Sequence, residues 1–296
     1  MKFKPMRACD GGLDVERFTY PLYASLKLDG IRATIQKTGV MSKSLKRIPN
    51  LFVQKELKLA KLLGLDGELV VGELDDPNLI QKTTSGIMSI KGEPDFSFYV
   101  FDKFGPGGYH DRFCSSVGYT ALGFHPRLRM LPQLMIEGPD ELLRFEQDAL
   151  QRGLEGVMLR SVHGHYKEGT STFREGYLMK LKRVQDSEAI IIGFEEKMHN
   201  TNPAQTNELG KTKRSSAKAG LVGAGTLGNF LVRNMDDGVE FSCAPGRLTD
   251  PEKQAIWDSR KKYLGKLITY KHFAQTGVKD KPRNPRFKCF RDKRDL

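Results

Sequence analysis

At 296 residues the chain exceeds what one hydrophobic core usually serves, so two domains are expected and no disulfide or metal staple is needed. Its composition is that of an ordinary globular protein, 39% hydrophobic and 28% charged, and a net charge of +12 points to a polyanionic partner. The longest apolar run, Ala189 to Phe194, is far too short for a bilayer span, and Met1-Lys2-Phe3-Lys4-Pro5 leads into no secretory apolar stretch. No membrane association is expected, and the cytoplasm is the compartment inferred.

Cys9, Cys114, Cys243 and Cys289 are widely separated and form no Cys-x-x-Cys pair, which argues against a zinc site or a disulfide framework. His163 and His165 lack an accompanying ligand pattern, so metal binding there is not expected. The charge is uneven. Residues 189–296 hold 21 Lys and Arg against 12 Asp and Glu, a net +9, while the first 188 residues hold 27 against 24, a net +3. Positive charge gathered in the last third suits a face turned to nucleic acid.

In chain order, the first informative stretch is Lys27-Leu28-Asp29-Gly30-Ile31-Arg32, which sets a candidate nucleophile, a carboxylate and a guanidinium at one turn. Tyr23–Leu26 and Ile31–Ile35 read as short strands, and Asp29-Gly30 between them is a hairpin signal because glycine tolerates φ > 0. The spacing predicts an amphipathic helix over 54–63 and strands at Leu65–Val71, with Glu68 near the start, and Phe96–Asp102. Gly138-Pro139 opens a predicted helix that Gly153 closes. Strands then follow at Glu155–Arg160 and Tyr177–Lys182. In the latter, the period of two sets Lys180 and Lys182 on one face.

Beyond Glu188 the pattern turns β-rich, with runs at Ala189–Glu195, Asn229–Arg233, Val239–Cys243 and Lys266–Phe273. One helix interrupts them from Asp250-Pro251, turning Ile256 and Trp257 inward. Several strands and one helix in about a hundred basic residues fit a small oligonucleotide-binding barrel. Between its first two strands, residues 197–220 are polar and cationic, with too few apolar residues to pack, and are expected to be a mobile loop. Its cations Lys211, Lys213, Arg214 and Lys218 are candidates for duplex phosphate contact.

Taken in order, Lys27 with Asp29 and Arg32, then Glu68, Phe101-Asp102, Glu155 and the pair Lys180 and Lys182 resemble the motifs of the covalent nucleotidyltransferases. That superfamily holds ATP-dependent DNA ligases, RNA ligases and mRNA capping enzymes. Lys-x-Asp-Gly-x-Arg is its first motif, and Glu155–Arg160 and Lys180-Leu181-Lys182 match the fourth and fifth. Gly225–Phe230 and Arg286–Lys293 look like a ligase OB-fold and its terminal motif, so the resemblance covers nearly the whole chain and is strongest to small phage-type ATP-dependent DNA ligases. Two positions depart from the pattern. Ser42-Lys43 stands where Ser-Arg is usual, losing the planar fork of guanidinium, and Arg291-Asp292-Lys293 lacks the usual spacer.

The resemblance implies an α+β nucleotidyltransferase domain (ATP-grasp-like, the DNA ligase adenylation domain) over residues 1–188, followed by a β-barrel OB-fold domain over 189–296. It implies ATP, a divalent metal (Mg²⁺ or Mn²⁺), a lysyl-AMP intermediate on Lys27, and nicked duplex DNA as the partner of a monomer. Asp29 would serve the steps at the nick. Arg32 and Glu68 would contact the nucleotide sugar, Lys43, Arg291 and Lys293 its phosphates, and Phe101 the adenine, while Glu68 and Glu155 would face the metal. Lysine has an ordinary pKa of about 10.4, and attack requires its neutral form, which Lys180, Lys182, Arg32 and a metal would favour if they converge. A GTP-using capping enzyme or RNA ligase shares the lysine motif. A non-catalytic OB-fold protein is the alternative from outside the enzymes.

Overall fold

The computed structural model describes residues 3–12, 14–76, 78–206, 212–215, 217–276 and 281–291. It divides into two units, Met1–Arg183 and Val184–Leu296. In the first, the strands and helices are β1 (Cys9–Asp10), β2 (Leu22–Leu26), β3 (Ile31–Gln36), β4 (Gly39–Ser42), α1 (Leu51–Leu57), β5 (Leu65–Val71), α2 (Leu79–Met88) and β6 (Phe96–Lys103). Then come α3 (Tyr109–Ala121), β7 (Leu128–Met130), β8 (Leu134–Ile136), α4 (Pro139–Gln151), β9 (Val157–Ser161) and β10 (Met179–Leu181). The strands form two five-stranded sheets, β1-β10-β9-β2-β8 and β4-β3-β5-β6-β7.

Each sheet has its own core. Ile35, Val53, Leu69 and Phe98 centre one, and Leu22, Leu142, Leu159 and Leu181 the other. A smaller cluster of Leu28, Val70, Leu79, Phe101 and Leu131 takes residues from around the cavity described below. α4 begins with Pro139 in its first turn, followed by Asp140 and Glu141, which complement the positive end of the helix dipole. α1 starts at Leu51, earlier than the predicted helix, because the Asn50 side chain accepts from the Val53 amide at 2.9 Å.

The predicted hairpin around Asp29-Gly30 is not one. β2 and β3 lie in different sheets, β2 pairing with β8 and β9 and β3 with β4 and β5, so residues 27–30 cross from one sheet to the other. Gly30 is required for closeness instead of positive φ. A Cβ there would overlap the Leu69 carbonyl and come within 2.8 Å of Glu68 Cγ.

The second unit contains β11 (Val184–Asn200), β12 (Ala204–Thr206), β13 (Thr212–Arg214), β14 (Leu221–Asn234), β15 (Glu240–Cys243), α5 (Asp250–Asp258), β16 (Leu267–Thr276) and β17 (Pro282–Arg291). A sheet of order β15-β14-β11-β16-β17 curls around Ile191, Phe230, Val232, Ile256 and Tyr270. The expected barrel is not closed by a full strand ladder. Among the described residues its edges meet at one parallel bridge, Ala244 with Arg286, where the Ala244 amide donates to the Pro285 carbonyl and the Phe287 amide to the Ala244 carbonyl. α5 is capped by Thr249, whose hydroxyl accepts from the Glu252 amide, and it buries Ile256.

Much of the stretch 197–220 forms backbone pairs where the structure describes it, and residues 207–211 and 216 lie outside the described residues. β11 and β14 pair out to Asn200–Leu221, and β12 pairs with β13 beyond them. Apolar packing is scarce there, and side-chain amides supply the order. Asn202, almost fully buried, donates to the Ser215 and Ala217 carbonyls at 2.9 and 3.0 Å, and Asn200 also donates to Ser215. Among the described residues no helix is long and apolar enough to cross a membrane.

Candidate active site

A cavity of about 650 Å³ opens in the first unit, and Lys27, Arg32, Lys43, Glu68, Phe101 and Lys180 all line it. Backbone contacts fix the position of the lysine. The Lys27 amide donates to the Gly156 carbonyl at 2.9 Å. Gly156 itself, at φ +142°, lies so close to the β10 end that a Cβ would overlap the Leu181 carbonyl and come within 3.1 Å of Lys182 Cα. The first, fourth and fifth motif segments are thereby stitched together by main chain.

Side chains complete the junction. Both carboxylate oxygens of Glu155 are taken, Oε2 by the Lys27 ammonium and Oε1 by that of Lys182 at 3.0 Å. Burial opposes ionisation of Glu155, yet Lys27 and Lys182 outweigh it and hold the carboxyl below its ordinary range. The group in contact with the Lys27 ammonium is this carboxylate.

Arg32 is fixed more heavily than its motif suggested. It donates to Asp66 from Nε at 2.9 Å and Nη2 at 2.5 Å, and from Nη1 to the Met6 carbonyl at 2.6 Å. Asp66 is fully buried and also accepts from the Tyr166 hydroxyl at 2.7 Å. This charge-assisted fork sets the guanidinium plane over the Phe101 ring, 5.5 Å from its centroid. Glu68 lies half-buried on the cavity wall, and burial pushes its carboxyl up to about 7 against the pull of Lys27 and Arg32. Burial also lowers Lys43, with Arg32, Arg7 and Lys180 adding to the effect.

Two other motif residues stand elsewhere. Leu28 and Gly30 line the cavity on either side of Asp29, which does not. Asp102 is buried off the wall against Arg112, with Nε to Oδ1 at 2.9 Å, and Arg112 further binds the Gly107 and Gly164 carbonyls. It is a structural carboxylate that ties β6 to α3. In the second unit, Arg291 donates from Nε to Thr269 and pairs with Glu188, both at 3.0 Å. Arg214 donates to the Asn202 carbonyl, Lys213 is paired with Gln205 in the ribbon, and Lys218 opens a short 3-10 turn. Lys211 and Lys293 lie outside the described residues.

Sequence reasoning missed several residues of the wall. Among the described residues, Ser25 Oγ and Arg160 Nε and Nη1 are buried without a hydrogen-bond partner, and both residues line the cavity. The register pairs Ser25 with Met158 and Tyr23 with Arg160, so the period of two places Ser25 and Arg160 on one face. The Arg160 guanidinium lies 5.0 Å from the Phe101 centroid. The alternation was readable for Arg160 within Glu155–Arg160, whereas nothing in the sequence marked Ser25 or Arg7. Orphaned donors, an aromatic wall and convergent cations fit a nucleotide. The metal fits less well, since both Glu155 oxygens are engaged and no group of three or more His, Cys, Asp or Glu side chains forms a cluster among the described residues.

Comparison with known proteins agrees with this geometry. Residues 222–291 match the family model of the DNA ligase OB-like domain. A 153-residue stretch, 48% of the chain, is 24% identical to the DNA ligase of African swine fever virus (isolate Pretoriuskop). The chain spans about a third of that relative's length, 35%. The crystal structure of Chlorella virus DNA ligase-adenylate superposes with a TM-score of 0.53 at 29% identity, covering 97% of this chain and 99% of that one. A Lig E DNA ligase shares the fold with a TM-score of 0.69 at 20% identity, covering 98% of this chain and all of the other. By motif and by fold the chain is therefore similar to the ATP-dependent DNA ligases, with their adenylation domain followed by a DNA ligase OB-like domain.

Proposed function

We propose that the chain is an ATP-dependent DNA ligase acting as a monomer on 5′-phosphate/3′-hydroxyl nicks in duplex DNA. The observation that carries this reading is Lys27 on the wall of a nucleotide-sized cavity, its ammonium held from behind the wall by Glu155, which also pairs with Lys182, and the adenylate bound to the Chlorella virus relative supports it. Lys27 Nζ loses a proton and attacks the α-phosphorus of ATP. The P–N bond forms as the bond to the β-phosphate oxygen breaks, and pyrophosphate leaves. The proton leaves to water, and Glu155, in contact with that ammonium, orients the nitrogen. Lys180 and Lys43 stabilise charge on the phosphoryl oxygens, Phe101 offers the stacking face, and Arg32 and Glu68 hold the sugar.

The AMP then passes to the nick's 5′-phosphate with Asp29 assisting, and the 3′-hydroxyl displaces it. A Mg²⁺ or Mn²⁺ arriving with the triphosphate would take most of its ligands from phosphate and water, with Glu155 and Glu68 as the carboxylates facing it, and would neutralise phosphoryl charge. Arg291 and Lys293 serve the leaving pyrophosphate. Lys211, Lys213, Arg214 and Lys218 contact duplex phosphates from the β11–β14 hairpin, which the amides of Asn200 and Asn202 brace. Division at residue 188 into adenylation and OB-fold domains completes the proposal.

The test is incubation with labelled ATP and labelled GTP, followed by mass spectrometry and then addition of nicked DNA. One AMP on wild type, none on Lys27→Ala and sealing by wild type alone are expected. Label from GTP, or AMP on the Lys27→Ala variant, would refute the assignment.

A further inference from the structure

The cations around the cavity divide into two sets. Arg32 is paired with Asp66, Lys27 and Lys182 share the single carboxylate of Glu155, and Lys167, farther along and off the wall, is paired with Glu175. Arg7, Lys43, Arg160 and Lys180 line the cavity, and among the described residues none of these four forms an ion pair; Arg160 is buried against the Phe101 and Tyr109 rings, which leaves Arg7, Lys43 and Lys180 as the more accessible three. These cations share the wall with Glu68, which favours the charged form of Lys43, but burial together with Arg32, Arg7 and Lys180 outweighs it and lowers Lys43. Such a set is stable and useful when an anion completes it.

Arg7 belongs to no motif, yet its backbone is among the better anchored in the wall. Its amide donates to the Gly169 carbonyl at 2.6 Å, its carbonyl accepts from the Ser171 amide at 2.8 Å, and it bridges Thr170 in parallel register. The preceding Met6 is fully buried, and its carbonyl is the one held by Arg32. The guanidinium is exposed while its root is fixed, which suits a group that must meet a ligand arriving from solvent.

We infer that Arg7 is a phosphate-binding residue at the cavity wall, closing with Lys43 and Lys180 a three-cation site for a phosphate of the incoming substrate. Two substrates of the proposed reaction carry that chemistry, the triphosphate of ATP and the 5′-phosphate of the nick. The inference rests on the ligase reading and deepens it. Guanidinium's planar fork also supplies here the bidentate geometry that Lys43 lacks.

The experiment uses the full chain as wild type, Arg7→Ala and Arg7→Lys, with two arms. In the first, ATP affinity is measured by calorimetry in the Lys27→Ala background, where no transfer occurs. In the second, sealing is timed on a nick that already carries AMP. A loss of about tenfold or more in at least one arm is expected for Arg7→Ala, the size of one hydrogen bond to a charged group. Arg7→Lys should recover part of it, and the thermal midpoint should be unchanged. Loss in the first arm assigns the triphosphate, and loss in the second the 5′-phosphate. Arg7→Ala within twofold of wild type in both arms overturns the inference, as does equal loss in both variants with a lowered midpoint. Failure of the ligase reading is separate: wild type would then take up no AMP, while the ATP-affinity arm would still report on Arg7.

Discussion

Glu68 makes a prediction whose size follows from its surroundings. Burial raises its carboxyl from 4.5 to about 7 in the folded chain, although Lys27 and Arg32 act in the opposite sense. A carboxyl raised on folding binds its proton more tightly in the folded than in the unfolded state, so it lowers stability as pH rises through the interval 4.5 to 7. Below that interval both states are protonated and the penalty vanishes. At about 1.4 kcal/mol for each pH unit separating the two values, the penalty reaches about 3 kcal/mol at pH 8. Glu68→Gln keeps the shape and removes the charge. The variant should therefore exceed wild type by about 3 kcal/mol at pH 8, or about 6–12 °C in thermal midpoint for a unit of this size, and match it at pH 4. AMP uptake should fall at the same time, because the sugar contact is lost. The single tryptophan, Trp257, lies in the second unit, so calorimetry or hydrogen exchange in β5 is the assay and not tryptophan fluorescence. A gain of equal size at pH 4 and pH 8, or none at either, would show that ionisation of a buried Glu68 is not what opposes folding.

Three further outcomes are expected. Gly30→Ala drives a methyl into the Leu69 carbonyl and Glu68, so about 1–3 kcal/mol of stability and most AMP uptake should be lost; normal uptake in a stable variant would contradict the packing. Replacing Lys211, Lys213, Arg214 and Lys218 by alanine should flatten the slope of log DNA affinity against log salt by roughly 2–4 while sparing AMP uptake, and parallel lines would remove the hairpin from the DNA contact. Arg291→Ala should slow AMP uptake from ATP more than sealing of a nick already carrying AMP; equal effects on both would point to the Glu188 and Thr269 contacts as structural. Deleting residues 286–296 is a poorer test, because it removes most of β17 and with it Phe287 from the core.

Elements with local signals were legible. Leu65–Val71 is a strand as its apolar run and Asp-Gly entry suggested, α4 begins at Pro139, and Asp250-Pro251 starts α5. What pairs with what was not. Asp29-Gly30 has the composition of a hairpin turn, but the two strands it joins belong to separate sheets, and only the close approach of Leu69 reveals why glycine is there. α2 and α3 went unread: Thr83 and Ile87 are buried in one, and Arg112 and Ser116, both polar, in the other. The curled sheet extends through β17, whose Pro282, Asn284 and Pro285 disguise it as a loop.

The candidate site divides along the same line. Lys27, Glu155 and Lys182 stand within three short motifs, and the structure brings them into one ion-paired junction, so residue type and order were enough to name them. The residues that hold the site in place are related only through space. Asp66 and Tyr166 are 100 positions apart and meet beneath Arg32, while Arg7 meets Thr170 across the chain. Asp102 illustrates the converse: it sits beside Phe101 in the right motif, yet Arg112, from a helix the sequence did not reveal, has claimed it. The described part of the polar hairpin makes a third case: where apolar residues are scarce, backbone carbonyls can find side-chain partners instead, and Asn200 and Asn202 provide them from within the segment. A carboxylate or an amide in a polar stretch therefore carries no readable role until its partner is placed.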